Sequence, residues 1–440
     1  MRFLHVADVH LDTSFTSRST SVRQHLRDAS REAFERSVDL AISEGVHAFL
    51  IAGDLFDSER LSFTTELFLL DKAARLGEHG ITVVYATGNH DPSSHEDGPR
   101  PIPWPENVHV VSEANPQRLV ISDDTGKPVG YVTASGHAST KESRDLSRLF
   151  PRPAGEMPEV GLLHTQVHSS LGATEHHSYA PSELSYLVGA GFDYWALGHV
   201  HVPQTLSEDP PVRYAGSLQG RTHKEQGERG ALLVDLSDRD APVIRFCSLA
   251  TVRWDTVDVT HLDTADSLDD LQRLIQNEWA KARKVDAGTS DTKWMVRVIL
   301  SGACNLWSEL RDEENRDALA DNLRHTLNDA LDVMVVSKDV HAPQPIEEYR
   351  SRNDMLGEAL RLCDMIREGK AKLETLAPYD LAGLESHDPE LVERYIRGLL
   401  SSPGTDAEVA LRLSQKQDRR KGKAHKAPDA LSKHPGSKHQ

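Results

Sequence analysis

The stretch "ITVVYATGNHDPSSH", Ile81 to His95, runs an apolar strand straight into Asn89, His90 and Asp91. Taken alone, Gly-Asn followed by Asp-Pro is turn chemistry, because glycine accepts a positive φ and proline cannot continue a ladder. The reading changes if other strands of the chain end the same way.

They do. The first half repeats a short apolar strand, a polar or histidine-bearing loop and a helix. Strands are predicted at "RFLHVA", "AFLIAG", "ITVVYAT", "EVGLLHT" and "YWALG", with amphipathic helices at "REAFERSVDLAISEG" and "FTTELFLLDKAARLGEHG" between the first three. This is the logic of βαβ units and an α/β fold. The shorter runs "NVHVVSEA" and "VGYVTASG" are expected as antiparallel or mixed strands on far sheet edges. Five polar clusters fall at the C-terminal ends of strands: "ADVHLD", "AGDLFD", "TGNHD", "LLHTQ" and "LGHVH". That edge is where open α/β sheets bind ligands.

These residue types suit a binuclear metal centre. Asp8, His10 and His201 make one mixed oxygen and nitrogen site, Asn89, His164 and His199 a second, and Asp54 is placed to bridge them. Ligands without thiolate fit manganese, iron, zinc or nickel better than an all-oxygen calcium cage. Two cations at such spacing hold a nucleophile at neutral pH and clamp a phosphate under in-line attack. His90, left without a metal, is the candidate to stabilise the phosphorane oxygens or protonate the leaving oxygen.

The bulk numbers narrow the class. At 440 residues, 38% hydrophobic and 27% charged, the chain is expected to hold two or three domains. There is no run of 18 apolar residues and no basic-then-apolar leader in "MRFLHVADVH", so a cytoplasmic protein with no membrane association is expected. Cys247, Cys304 and Cys363 are too scattered for a disulfide framework or a zinc ribbon. A net charge of -18 argues against a generic nucleic-acid coat, although bound cations would supply local positive charge.

From about Val252 the pattern changes to strand, helix, strand, helix, strand, the signature of a small α+β domain, broken by "HAPQP" from a helical region. Domains are therefore drawn at 1–249, 250–342, 343–405 and 406–440, the last a basic, largely disordered tail. In the helical region, "NDMLGEALRLCDMIREG" and "DPELVERYIRGLLSS" each carry a broad apolar stripe.

The ordered set "DVH", "GDLFD", "GNHD", His164 and "GHVH" resembles the calcineurin-like metallophosphoesterases over roughly the first half of the chain. "VADVHLD", "WPENVHV", "DYWALGHVH" and "YAGSLQGRTHKEQGERG" extend the resemblance to the DNA repair exonucleases of the SbcCD nuclease subunit (SbcD) type, and nearest to their YhaO branch. The resemblance implies a four-layer α/β/β/α sandwich with a small α+β capping domain and a helical C-terminal extension. It implies two Mn2+ ions, DNA as substrate, and an SMC-like ATPase partner (SbcC/YhaN type) gripped by helices after the cap. It carries over Asp8, His10, Asp54, Asn89, His164, His199 and His201 as metal ligands and His90 as catalytic. Oligomeric state is left open, a homodimer among the options. The enzyme alternative is a phosphodiesterase or phosphatase acting on a small nucleotide or phosphoprotein, since one two-metal centre serves all of these. A non-enzymatic scaffold would lack a ligand, and none is missing.

Neighbouring residues receive lesser roles. Asp57 is expected to cap or orient the next helix, and Asp12 and Asp91 to be loop acceptors. His164 is preferred to His168, His176 and His177 because it alone directly ends an apolar strand. Arg221, His223 and Lys224 are candidates to hold a substrate phosphate. His5, His47, His79 and His109 are read as structural.

Overall fold

The structure is a computed structural model that describes residues 1–57, 61–93, 102–168, 170, 179–239, 241–286, 288, 291–343, 346–371, 389–401, 405–406 and 409–410. Its strands are β1 (Arg2–Val6), β2 (Ala48–Ala52), β3 (Thr82–Ala86), β4 (Val108–Val111), β5 (Gln117–Ser122), β6 (Pro128–Ser135), β7 (Glu159–His164) and β8 (Tyr194–Gly198). They continue as β9 (Gln204–Glu208), β10 (Pro211–Tyr214), β11 (Gly230–Asp235), β12 (Val243–Ser248), β13 (Val252–Val259), β14 (Lys293–Ala303) and β15 (Ala330–His341). The helices are α1 (Thr20–Ser43), α2 (Phe63–Glu78), α3 (Leu184–Gly189), α4 (Leu268–Val285), α5 (Glu313–Thr326), α6 (Ile346–Ser351), α7 (Met355–Arg367) and α8 (Pro389–Leu400).

The chain divides into two compact units, the first comprising Met1–Thr256, Gly288–Val296 and Asp329–Asp332. It contains two six-stranded sheets, ordered β12-β11-β1-β2-β3-β4 and β5-β6-β7-β8-β10-β9. Strands β1 to β4 run parallel, as do β6, β7, β8 and β10, while β11, β12, β5 and β9 are antiparallel additions. The two short runs are met in part: β4 lies at its sheet's edge as expected but runs parallel to β3, and β6 is mixed as expected, antiparallel to β5 and parallel to β7, but lies one strand in from the edge.

Side chains alternate along each strand, and both faces of the central strands are apolar, which produces layers. In β2, Phe49 and Ile51 join Leu4, Val6, Val83 and Tyr85 beneath α1 and α2. The alternate positions Ala48, Leu50 and Ala52 meet Val132, Leu162 and Ala196 of the second sheet. On the far side of that sheet, Leu163, Trp195 and Leu197 pack on Leu187 of α3, Phe150 and Phe192. The arrangement is a four-layer α/β/β/α sandwich whose fourth layer is thin. Trp195 ties that layer down by donating from its indole N–H to Leu187 O at 2.9 Å.

α1 begins at Thr20, well before the amphipathic pattern that predicted it, because Ser19 caps the helix by accepting from the Val22 N–H at 3.4 Å. α2 is capped by Ser62, which accepts from Thr65 N at 3.2 Å, so Asp57 caps no helix.

The second unit comprises Val257–Ala287, Arg297–Asn328 and Val333–Gln440. Its α4 buries Leu271, Ile275 and Trp279 along one face, whereas Leu268 is exposed. In α7, Leu356 and Leu360 are buried against Ile346, Tyr349, Val409 and Ala410, so much of that stripe packs inside its own unit. Met355, Met365, Tyr395 and Leu399 remain exposed. Asp388, the side chains of Leu391, Val392 and Ile396, and nearly all of the basic tail lie outside the described residues.

Leu162 is fully buried between the two sheets. Leu162→Ala is expected to lower unfolding free energy by about 2–5 kcal/mol, read as a shift of the chemical denaturation midpoint.

Candidate active site

The site forms where β1, β2, β3, β7 and β8 all end. β1 and β2 run in register, and the backbone beyond them stays paired: Asp8 N–H donates to Gly53 O, His10 N–H to Asp54 O and Leu11 N–H to Leu55 O. The first two loops thus lie side by side, and Asp8 and Asp54 are both buried. To turn its side chain inward at a strand end, the backbone adopts left-handed conformations at Asp8 (φ 49°), His10 (φ 49°), Asp54 (φ 52°) and His199 (φ 104°). Each such non-glycine residue costs of order 1–3 kcal/mol. Strain concentrated in this way marks the place where side-chain direction outweighs backbone preference.

All eight residues assigned to metal or catalysis are brought together. His10 Nε2 and His201 Nε2 face carboxylate oxygens, at 3.6 Å from Asp54 Oδ2 and 4.0 Å from Asp8 Oδ1 respectively. Asn89 Oδ1 lies 3.0 Å from His164 Nε2 and 3.1 Å from His199 Nδ1. Asp54 Oδ2 also stands 3.4 Å from His164 Nε2, so this single oxygen faces a histidine of each half. The groups Asp8, His10, His201 and Asp8, Asp54, His164 each gather ligand atoms within 4.8 Å of one another.

The residues fit divalent cations. His10 Nε2 is buried and makes no hydrogen bond among the described residues, although a carboxylate oxygen stands 3.6 Å away. Burial, with the neighbouring Asp54, pushes the Asp8 carboxyl up to about 7, against the opposing pull of His201. Burial also tends to raise Asp54, but His164, His10 and His90 hold it below the usual carboxylate range. His10 is pushed down to about 3 by burial and by Arg221, and His164 to about 4 by burial. The neutral imidazoles of His10 and His164 are in the protonation state that ligation requires, whereas at His201 burial is overcome by Glu225, which raises it.

Around this cluster stand carboxylates whose roles the sequence did not reveal. Asp57 is the main correction: it meets His90 Nδ1 at 2.5 Å and His10 Nδ1 at 3.3 Å, and accepts from Thr13 Oγ1 and Arg221 Nη1, both at 3.1 Å. Its hydrogen bond raises the His90 imidazole above its ordinary value, while His90 stays 44% exposed at the mouth of the site. Glu225 was missed. It lies 3.5 Å from His201 Nδ1 and accepts from Ser217 Oγ at 2.8 Å, and His201 draws it down to about 2 despite burial. No strand-end pattern flags this residue, which sits in a loop after β10.

Asp91 is a loop acceptor, as expected. It takes the N–H groups of Gly88 (2.6 Å), Leu55 (2.5 Å) and Asp54 (3.3 Å) and the Tyr85 hydroxyl (2.5 Å), tying the second loop to the third. Asp12 accepts from Ser62 N at 2.9 Å and Thr65 Oγ1 at 2.6 Å. His164 Nδ1 lies 2.9 Å from Ala52 O, which fixes the ring and aims Nε2 into the site. His168 instead pairs with Glu183 at 2.8 Å, and His176 and His177 lie outside the described residues.

Of the three phosphate candidates, only Arg221 joins the cluster, through Asp57. His223 is buried with its ring 4.8 Å from that of Trp254, and Lys224 is exposed. His5 is structural, its ring nitrogens 3.2 Å from Tyr194 Oη and 3.1 Å from Leu197 O.

Residues 1–203 match the family described as calcineurin-like phosphoesterase. The uncharacterized metallophosphoesterase YhaO of Bacillus subtilis is 30% identical over 410 residues, spanning 92% of this chain and 91% of that protein. The DNA double-strand break repair protein Mre11 of Aeropyrum pernix is 31% identical, over 55% of this chain and 59% of its own. The SbcD component of the nuclease SbcCD of Bacillus subtilis is 24% identical, over 52% of this chain and 64% of its own.

A Cβ added at Gly88 would lie 2.2 Å from Asp54 Oδ1 and 2.7 Å from its backbone nitrogen. Gly88→Ala must therefore displace the carboxylate shared by both halves. Loss of hydrolysis by about 10²-fold or more, with reduced metal content and an unchanged far-UV circular dichroism spectrum, is the expected result.

Proposed function

The chain belongs to the calcineurin-like metallophosphoesterases and is a metal-dependent phosphoesterase of nuclease type; we propose that its substrate is DNA, hydrolysed with two manganese ions in DNA repair. The observation that carries this reading is one buried carboxylate oxygen, Asp54 Oδ2, set between the histidines of two half-sites, with His90 open at the mouth. Similarity to Mre11 and to the SbcCD nuclease supports DNA over a small nucleotide or a phosphoprotein.

In this reading Asp8, His10 and His201 would hold one cation and Asn89, His164 and His199 the other, with Asp54 available to both. Bound there, divalent cations supply Lewis-acid charge at the phosphate and a nucleophile at neutral pH. The protein's own groups do the rest. Asp57 fixes the His90 ring through Nδ1 and favours its protonated form, which leaves Nε2 to donate a proton to the departing oxygen. Arg221, held by the other Asp57 oxygen, presents a guanidinium to a non-bridging phosphate oxygen. Glu225 orients His201, and Ala52 O orients His164.

The helical region after residue 343 is proposed to bind an SMC-like ATPase through what α7 and α8 leave exposed, including Met365, Tyr395 and Leu399. No helix among the described residues is long and apolar enough to cross a membrane.

The substrate reading is tested by comparing manganese-dependent cleavage of a labelled duplex with hydrolysis of a generic phosphodiester; faster turnover of the generic compound would favour the small-substrate alternative. Asp54→Asn is expected to lose both metal and activity. His90→Gln should lose about 10²-fold or more in turnover while retaining its metal by elemental analysis. Truncation after about residue 345 should preserve cleavage of simple substrates and abolish co-purification with the ATPase.

A further inference from the structure

One row of α1 changes charge along its length. The buried face of the helix carries Val22, Leu26, Ala29 and Ala33. Beside it Arg23, Arg27, Arg31, Glu35 and Asp39 follow at four-residue spacing, which aligns them along the helix. At the far end of this row Glu35 and Asp39 are met by Lys72 and Arg75 of α2, both at 2.6 Å. The acidic end of the row is thus neutralised by α2. Among the described residues, neither Arg23 nor Arg27 has a carboxylate within ion-pair distance, in a chain with 68 acidic residues against 50 basic ones. Arg23 Nη2 donates only to Thr20 Oγ1, at 3.1 Å.

The basic end of the row leads to the site. Arg27 Nε donates to Thr13 O at 3.0 Å; Thr13 Oγ1 donates to Asp57 Oδ2 at 3.1 Å; Asp57 Oδ1 meets His90 at 2.5 Å. Arg221 stands on the same carboxylate, at 3.1 Å. Arg221 on Asp57 and Arg27 on the Thr13 loop are thus both linked to His90, and Arg23 stands one helical step beyond Arg27 along α1.

Resting on the nuclease reading above, we infer that the Arg23 and Arg27 flank of α1 is a phosphate track, which holds the backbone of a polynucleotide strand as it leaves the active site. Four residues of α-helix rise about 6 Å, the scale of the chord between neighbouring phosphates of one strand. Guanidinium forks suit phosphate oxygens, and contacts of this kind set register without reading sequence. A nucleoside monophosphate offers a single phosphate and so has nothing to occupy cations beyond Arg221. The track thus favours a polymer over a small phosphodiester, and it concentrates positive charge on a chain whose total charge is negative.

The test is fluorescence anisotropy with a labelled single-stranded oligonucleotide, using full-length His90→Gln protein so that turnover does not interfere. Replacing both arginines by glutamine should weaken binding by about tenfold or more and reduce the slope of log K against log salt by about 1.4, two contacts at roughly 0.7 each. Arg23→Gln alone, which removes only the bond to Thr20, should give about half that slope change. The double lysine variant should recover the slope. An unchanged slope overturns the track. So does an effect confined to Arg27 that lysine does not rescue, because it assigns Arg27 to bracing the Thr13 loop. The nuclease reading fails separately: wild-type protein that binds the oligonucleotide through α1 but hydrolyses only bis(p-nitrophenyl) phosphate would remove that reading and leave the track standing.

Discussion

Two carboxylates, Asp8 and Asp54, lie buried at the ends of adjacent parallel strands, and the surrounding site is organised by their charge. Two like charges out of water are tolerated only where compensating charge or hydrogen bonds converge on them. Asp8 accepts the His199 N–H through both oxygens, at 3.0 and 3.1 Å, and Asp54 accepts the His90 N–H at 2.9 Å. Those bonds pull the loops after β8 and β3 inward, and they bring with them His199, His201, Asn89 and His90. What the backbone does not neutralise is left to the surrounding imidazoles, and a buried cluster of this kind suits divalent cations.

A second ring of acids holds the first in place, and each member is compensated differently. Asp91 is satisfied by backbone N–H groups and the Tyr85 hydroxyl, and it clamps two loops. Asp57 is shared by two histidines, Thr13 and Arg221. Glu225 serves His201 and Ser217. Pre-organisation of this kind removes the need to reorient ligands during turnover. The left-handed backbone at Asp8, His10, Asp54 and His199 is the cost of that rigidity, offset by the cross-strand hydrogen bonds that continue past β1 and β2.

The acidic composition is compatible with a polyanionic substrate because charge is distributed unevenly. Part of the acidity is gathered at the strand-end cluster, and part is paired at the surface, as in Glu35 with Lys72 and Asp39 with Arg75. Arg23 and Arg27 of α1, by contrast, have no carboxylate within ion-pair distance among the described residues, and Arg27 is bonded to the Thr13 loop. Net charge governs long-range behaviour, whereas a backbone phosphate responds to the few groups within a Debye length of about 10 Å.

The parallel strands, the α/β class and the eight converging side chains were legible in the sequence. A doubly buried strand must be apolar throughout, and a polar cluster abruptly ending such a run stands out, as at Asp54, Asn89 and His164. The roles of Asp57, Glu225 and Arg27 were not legible, because each acts on a partner far away in the chain and no local periodicity records a contact of that range. His223 shows the converse: its sequence context suggests a phosphate contact, yet packing seats it on Trp254. The start of α1 at Thr20 and the internal use of the α7 stripe were likewise decided by capping and tertiary burial. Sequence by itself determined which strands form and which chemistry their ends can carry, since both depend on neighbouring residues. Only the tertiary structure decided which charges meet, because two sheets from distant parts of the chain must first pack face to face before Asp8 and His201 can share a site.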